Sequence, residues 1–188
     1  MTKEDTIFSY FAGALAIAVI IVVYLKVRKN MSDIQRPVWD LKSEFKIKEL
    51  HPKIQNDVRA FINTAEDRGI FLRLTSGART FAEQEKIYNQ GRTTAGKIVT
   101  NAKAGDSIHN YNLAFDVVEM QDKKTPIWRN DNWATIGEIG KSFGFEWGGD
   151  WRSFKDLPHF QKMFGNSLAM LKQRYNSGEF DSTGFVVV

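Results

Sequence analysis

The sequence contains no cysteine and only three histidines among its 188 residues. The absence of cysteine excludes disulfides, a thiol nucleophile and a zinc site built from thiolates. A transition-metal site would therefore have to use histidine, aspartate and glutamate side chains. The only imidazoles available to it are those of His51, His109 and His159.

A strong excess of either charge is also missing. The chain has 26 Lys and Arg against 22 Asp and Glu, with a net charge of +4 and a pI near 9.2. A mildly basic protein is attracted to polyanions such as nucleic acid, anionic lipid or an anionic cell wall. The sequence has no basic helix face and no nucleic-acid-binding module, so we expect no nucleic-acid partner. We expect the catalytic domain to be monomeric.

Charged residues are absent from residues 7–25, a run that starts at Ile7 and ends at Leu25. About 20 apolar residues of helix cross a bilayer core. The run predicts one membrane-spanning helix, within an anchor over residues 1–29 that a tether over residues 30–42 follows. A cleaved signal peptide and a buried core helix are the alternatives. No small-x-small cleavage site follows the run, and it is apolar on every side.

The membrane orientation of this segment is ambiguous. Lys26, Arg28 and Lys29 follow the apolar run directly, whereas only Lys3 precedes it. The positive-inside rule would place the C-terminal domain in the cytoplasm. A substrate in the cell wall would instead require that domain to lie outside, so the side of the domain stays open.

The remaining chain, residues 43–188, has the alternating helix and strand patterns of one domain. Glycines follow three of the predicted helices, and a capping box of Thr80 and Glu83 starts one of these three. Ser43 to His51 is interpreted as a charged lead-in. The patterns predict helices over residues 52–68, 81–89, 133–142 and 166–175, and strands over residues 70–75 and 113–118.

The strand over residues 113–118 carries an aspartate between apolar residues on both faces. Asp116 is therefore expected to point into the protein, where a carboxylate is costly unless a cation or several donors meet it. His109 lies in the turn just upstream, and Asp156 lies three residues before His159. Two histidines and a carboxylate suit a catalytic zinc with an open fourth position, and a second carboxylate suits a base.

Five further residues allow two interpretations each. His51 could be a third ligand or, more commonly, a helix cap. Arg79, at a strand-to-helix turn, could project into a cleft or form a surface salt bridge. Trp147 and Trp151 are predicted to line a substrate groove, although packing in the core is the commoner position of tryptophan. Glu146 is an alternative to Asp156 as the base, or it belongs to a structural loop or a substrate wall, as its glycine and tryptophan neighbours suggest.

Several motifs occur in an order that is typical of one protein family. The sequence resembles the zinc D-alanyl-D-alanine carboxypeptidases and the phage L-alanyl-D-glutamate endopeptidases, which cut peptidoglycan stem peptides, over about residues 51–164. The motifs are Ser76-Gly77-x-Arg79, Gln84 with Tyr88 and Gln90-Gly91-Arg92, Ser107-x-His109 through Asp116, Glu146-Trp147-Gly148-Gly149-x-Trp151, and Asp156-x-Pro158-His159-Phe160.

The resemblance implies a small α+β fold shared with hedgehog domains, in which helices pack on an antiparallel sheet. It also implies one zinc ion per chain and a role for each matching residue. Asp156 would be the base that activates the attacking water, Arg79 would hold the scissile carbonyl or its oxyanion, and Ser107 would lie beside the substrate. The implied zinc ligands are His109, Asp116 and His159.

One position departs from the family pattern, because Asn112 stands where glycine is usual. The position is expected to need a positive φ, which asparagine tolerates better than most residues. All five proposed chemical residues are present, so we expect an active enzyme.

The leading functional hypothesis is an L-alanyl-D-glutamate endopeptidase of the endolysin type. The alternatives are a D-alanyl-D-alanine carboxypeptidase and a non-catalytic, membrane-tethered wall-binding protein. A peptidase held on the cytoplasmic side until the membrane is breached would reconcile the charges that flank the apolar run with a wall substrate.

Overall fold

The computed structural model describes residues 20–21, 36–129 and 131–188. The predicted membrane span at residues 7–25 lies outside the described residues, except for Ile20 and Ile21. Among the residues that are described, no helix combines the length and the apolar character that a bilayer crossing requires.

The described chain is an α+β fold with helices packed on one antiparallel sheet. The strands occur in the order β1-β2-β5-β4, and β3 pairs with the far end of β2. The strands are β1 (Leu72–Ser76), β2 (Ala114–Gln121), β3 (Thr125–Ile127), β4 (Glu146–Trp147) and β5 (His159–Gln161). The helices are α1 (Leu41–Lys48), α2 (Pro52–Asp67), α3 (Phe81–Asn89), α4 (Trp133–Ser142) and α5 (Leu168–Asn176), with 3₁₀ turns at Ile108–Tyr111 and Gly148–Asp150.

One face of the sheet forms the hydrophobic core. Phe115 on β2 and Phe160 on β5 are cross-strand partners, and their rings stack with centroids 5.7 Å apart. Phe61 of α2 packs on this pair, with its centroid 4.9 Å from that of Phe160. All three rings are fully buried. Burial of one such side chain stabilises the fold by about 1.5–3 kcal/mol, so this layer fixes α2 and both strands together.

The opposite face of the same strands is polar. Successive strand residues point to opposite faces, so Asp116 and His159 face away from the phenylalanine layer. Asp116 is the cross-strand partner of His159 in the same antiparallel pairing. This register sets an aspartate and a histidine, 43 residues apart in the sequence, directly beside each other.

The helices predicted from periodicity are confirmed with small shifts at their ends. Helix α4 has the predicted bounds, α2 ends one residue earlier than predicted, and the capping box of Thr80 and Glu83 is present. One helix and three strands were not predicted, namely α1, β3, β4 and β5. Helix α1 is rich in charge and buries only Ser43 and Ile47, so its sequence has a weak amphipathic pattern.

The segment before α1 packs onto the domain. Val38 is buried, and the indole of Trp39 donates a 2.9 Å hydrogen bond to the carbonyl of Leu72. Asp40 caps α1 and accepts two hydrogen bonds from Arg73 of β1. Leu41, the first residue of α1, is exposed.

Asn112 has the left-handed conformation that was predicted, with φ at 61°. It links the 3₁₀ turn that carries His109 to strand β2, and its amide donates a 2.7 Å hydrogen bond to the carbonyl of Glu49. We expect Asn112→Gly to be more stable than Asn112→Ala by about 1 kcal/mol, because both lose the amide and only alanine is strained at this φ. Urea unfolding of the two variants measures this difference, and equal stabilities would contradict it.

Candidate metal centre

Three side chains from separate elements converge on the polar face of the sheet. His109 comes from the 3₁₀ turn, Asp116 from β2 and His159 from β5. One potential ligand atom from each lies within 4.8 Å of the other two. Asp116 Oδ1 is 3.4 Å from His109 Nε2 and 3.1 Å from His159 Nδ1. No other group of this kind occurs within residues 36–129 and 131–188.

A backbone carbonyl fixes which nitrogen of His109 is available. Its Nδ1 lies 2.7 Å from the carbonyl oxygen of Gly77. Because a carbonyl only accepts hydrogen bonds, Nδ1 carries a proton, and Nε2 is the nitrogen left to bind a metal ion. Nε2 faces Asp116, so the ring is already oriented for a metal ion. Metal-binding histidines commonly have such a contact on the second nitrogen.

The charges at the site also suit a cation. Burial raises the pKa of Asp116, but hydrogen bonds and charge from His109 and His159 lower it by a larger amount. The pKa of Asp116 is therefore well below its usual range. Burial lowers the pKa of His159, but contacts with Asp116, a hydrogen bond to Gln161 and the charge of Asp156 together raise it above its ordinary value. Two imidazole nitrogens and an ionised carboxylate that face one point form the donor set of a catalytic zinc, with a fourth position open to the cleft.

The three side chains lie at the floor of a cleft of about 880 Å³. Four of the other residues predicted for the site line the same cleft, namely Asp156, Arg79, Ser107 and Trp151. The Trp151 ring lies 5.1 Å from that of His159. The structure thus brings together seven of the eight predicted site residues, while their chemical roles stay predictions.

Asp156 is held beside the three converging side chains by its backbone. Its amide donates to the carbonyl of Gly148 at 3.0 Å, and its own carbonyl accepts from the amide of His159 at 3.1 Å. A Cβ at Gly148 would lie 2.4 Å from the Asp156 carbonyl oxygen, so only glycine permits this approach. Burial and the nearby charge of Asp116 raise the pKa of Asp156. Its carboxyl is therefore a better proton acceptor than an ordinary aspartate.

Arg79 is oriented toward the cleft by neutral partners. Its guanidinium donates to Gln84 Oε1 at 2.8 Å and to Ser76 Oγ at 2.9 Å. Its backbone amide donates to the carbonyl of His109, which ties the two residues together. Because these side-chain partners carry no charge, the positive charge of Arg79 remains available to a developing anion.

The prediction that Trp147 lines the groove is wrong. Its indole stacks on Phe160 on the core side of the sheet, and its N–H donates to the carbonyl of Leu157 at 2.8 Å. Trp147 is not among the residues around the cleft. A Cβ at Gly137 or Gly149 would lie within 2.4 Å of its ring atoms, so these two glycines form the slot that holds it.

His51 and Glu146 have structural contacts in place of the ligand and base roles that were considered for them. His51 is the N-cap of α2, where Nδ1 accepts from the amide of Lys53 and Nε2 contacts the carbonyl of Val186. Glu146, the alternative base, does not line the cleft and binds the Gln161 amide instead.

Sequence reasoning missed several residues around the centre. Gly77 acts through a backbone carbonyl, which no side-chain pattern reveals. Gln161 lies two residues after His159, so strand alternation could have placed it on the same face if β5 had been predicted. The cleft also has an exposed apolar rim formed by Ile98, Val99 and Phe154.

Comparisons with known proteins agree with this geometry. The sequence profile of a family described as D-alanyl-D-alanine carboxypeptidase matches residues 100–162. The peptidoglycan L-alanyl-D-glutamate endopeptidase CwlK of Bacillus subtilis (strain 168) is 43% identical over 122 residues, which cover 60% of this chain and 73% of CwlK. The L-alanyl-D-glutamate peptidase of Listeria phage A118 is 33% identical over 106 residues, 55% of this chain and 34% of that protein.

A solved structure of another L-Ala D-Glu endopeptidase is also similar to this chain. The L-Ala D-Glu endopeptidase ChiX of Serratia marcescens superposes with a TM-score of 0.51 at 26% identity. The similarity covers 70% of this chain and 94% of ChiX.

The fold and the donor set define a zinc metallopeptidase, an enzyme that hydrolyses amide bonds with one metal ion. Because the similarity to CwlK extends over most of that protein, the chain belongs to the family of zinc D-alanyl-D-alanine carboxypeptidases and L-alanyl-D-glutamate endopeptidases that act on peptidoglycan.

Proposed function

We propose that this protein hydrolyses the bond between L-alanine and D-glutamate in peptidoglycan stem peptides. The observation that carries the proposal is the convergence of His109, Asp116 and His159 beside Asp156 at the floor of an open cleft. The choice of bond is supported by the similarity to CwlK, the phage peptidase and ChiX, which are L-alanyl-D-glutamate peptidases.

In this proposal His109, Asp116 and His159 hold the zinc ion through Nε2, one carboxylate oxygen and Nδ1. Zinc in such a site acidifies a water molecule and polarises the scissile carbonyl. The three side chains are oriented by the sheet register and by the Gly77 carbonyl, so little reorganisation is needed when the ion binds.

Asp156 is the general base and then the general acid. Its carboxylate accepts a proton from the attacking water and later delivers that proton to the leaving amine. A raised pKa suits both steps, because the carboxyl must hold the proton between them. The backbone contacts to Gly148 and His159 keep the carboxylate beside the ligands.

Arg79 stabilises the carbonyl oxygen as it becomes negative. A preorganised donor at this point lowers the barrier because it interacts more strongly with the transition state than with the substrate. Ser107 and Trp151 are proposed to contact the peptide on the walls of the cleft.

The charge distribution favours an endopeptidase over a carboxypeptidase. Arg79 is the only Arg or Lys among the described residues that line the cleft. A carboxypeptidase needs a second group to bind the terminal carboxylate of its substrate, whereas an endopeptidase has no such carboxylate beside the scissile bond. If Arg79 serves the carbonyl oxygen, the described cleft offers no second cation for a terminal carboxylate.

Mass spectrometry of muropeptides after digestion of purified peptidoglycan tests the proposal. We expect new stem peptides that begin with D-glutamate. Release of terminal D-alanine instead would identify a carboxypeptidase. Binding to the wall without any cleavage by the zinc-loaded protein would identify a wall-binding protein and overturn the proposed activity.

Substitution of Arg79 tests its role in catalysis. Arg79→Ala should lower kcat by about 10²–10³-fold, the usual effect of removing one oxyanion donor. Arg79→Lys should retain part of the rate, because it keeps the charge but loses the forked geometry. Zinc content and thermal stability serve as controls and should stay close to wild type. A kcat within a few-fold of wild type for Arg79→Ala would contradict the role.

The position of the enzyme in the cell is proposed from sequence alone. Residues 1–29 would anchor the chain through a bilayer span at residues 7–25, residues 30–42 would be the tether, and residues 43–188 would be the peptidase domain. A wall substrate favours an extracytoplasmic domain. Protease accessibility in intact cells tests this, because an internal domain would be protected until the membrane is permeabilised.

A further inference from the structure

Gln161 lies between a proposed zinc ligand and an acidic residue on the polar face of the sheet. It is the cross-strand partner of Glu146 on β4 and of Ala114 on β2. His159 is two residues away on the same strand, so the two side chains share a face. Gln161 is only 7% exposed, and a buried amide in this position must satisfy its hydrogen bonds locally.

The contacts of Gln161 are directional. Its Nε2 donates to Glu146 Oε2 at 2.8 Å, and its Oε1 lies 3.0 Å from His159 Nε2. A carboxylate only accepts hydrogen bonds, so Glu146 selects the amino end of the Gln161 amide. The amide oxygen is thereby turned toward His159 and can only accept. His159 therefore carries a proton on Nε2.

This arrangement determines which nitrogen of His159 faces the metal site. With a proton on Nε2, Nδ1 is the nitrogen left to bind the ion, and it lies 3.1 Å from Asp116 Oδ1. His109 presents the other nitrogen, Nε2, because the Gly77 carbonyl holds its Nδ1 proton. The two imidazoles thus reach one point with opposite tautomers, and a different partner fixes each tautomer.

We propose that Glu146 and Gln161 form a positioning pair that sets the tautomer and ring orientation of His159 for zinc. The proposal rests on the ligand role given to His159 above. It gives Glu146 a function that is distinct from a catalytic base, because its carboxylate acts through Gln161 and does not touch the substrate. Loss of such a second partner typically weakens metal binding by about 10–100-fold.

Zinc affinity, measured by competition with a chelator, tests the pair directly. Gln161→Leu should weaken zinc binding by about 10–100-fold, since it removes the acceptor for His159 Nε2–H. Asn166 is a matched control, because its side-chain amide is similarly buried and contacts Met163 rather than the site. Asn166→Leu should leave the zinc Kd unchanged. Thermal unfolding of the zinc-free proteins checks that each variant folds.

Exchange of the two residue types gives a sharper test. Gln161→Glu alone places two carboxylates opposite each other and should weaken zinc binding. Glu146→Gln added to it restores a donor, so the double variant should recover the wild-type zinc Kd to within a few-fold. Glu146→Gln alone should have a small effect, because its amide oxygen can still accept from Gln161. These variants keep the test valid if Gln161→Leu does not fold.

The tautomer provides a readout that simple packing would not change. In zinc-loaded wild-type protein and the double variant, ¹⁵N spectra should show a protonated His159 Nε2 that exchanges slowly with solvent. In Gln161→Leu that proton should exchange rapidly. A wild-type zinc Kd together with slow exchange in Gln161→Leu would overturn the pair. That outcome would leave the proposed peptidase activity intact, whereas zinc binding without muropeptide cleavage would refute only the activity.

Discussion

Asp156→Asn is expected to lower kcat on muropeptides by about 10²–10⁴-fold, the usual contribution of a general acid and base. The variant keeps the size of the side chain and the backbone contacts to Gly148 and His159, but its amide cannot accept the proton of the attacking water. Zinc binding should survive, because the three proposed ligands are unchanged. Steady-state rates and zinc content measured on the same preparation check both statements.

Asp150→Asn is the matched control for this result. Asp150 lies in the 3₁₀ turn Gly148–Asp150, is exposed and pairs with Lys141 at 2.9 Å on the surface. A surface pair of this kind contributes little to stability, so the rate should stay close to wild type. If Asp156→Asn also cleaved at the wild-type rate, another group would be the base and the assignment would fail.

His109→Ala is expected to lose both zinc and activity. One of three protein ligands disappears, and the Gly77 carbonyl that oriented the ring is left without its donor. Asp116→Asn should have a similar effect on zinc, since it removes the negative charge that two histidines share. Metal analysis after dialysis should give about one zinc per wild-type chain and close to none in either variant.

His51→Ala separates ligand loss from the general loss of an imidazole. His51 caps α2, and its ring nitrogens contact the backbone of Lys53 and Val186 and not the proposed ligands. The variant should therefore keep its zinc. Loss of the cap should lower the free energy of unfolding by about 0.5–2 kcal/mol. Retention of zinc by His109→Ala, or its loss from His51→Ala, would mean that the ion is held elsewhere.

The elements with strong local signals were predictable from sequence, and the short ones were not. Helix α4 combines a periodic apolar face with a glycine stop, and its predicted bounds agree with the structure. Strand β5 has only three residues and exists because β2 and β4 pair with it on either side. No local pattern encodes such pairing, so the strand beneath His159 could not be derived from its own sequence.

The candidate site was likewise predictable from sequence only in part. The scarcity of histidine and the apolar strand around Asp116 restricted the possible ligands to very few residues. The partners that orient those residues, the Gly77 carbonyl and the Gln161 amide, depend on tertiary contacts. Trp147 was assigned to the wrong side of the sheet because the slot between Gly137 and Gly149 forms only when α4 packs beside β4.

The pairing of β2 with β5 places Phe115 opposite Phe160 and Asp116 opposite His159. A slip of one residue would turn the aromatic rings toward solvent and bury the carboxylate and imidazole among hydrocarbon. A misregistered chain could therefore not chelate the ion. Zinc captures only molecules whose strands are correctly aligned, and in excess of its Kd it adds to their stability as RT ln(1 + [Zn]/Kd). A bound zinc ion would therefore favour chains in the correct register over misaligned ones.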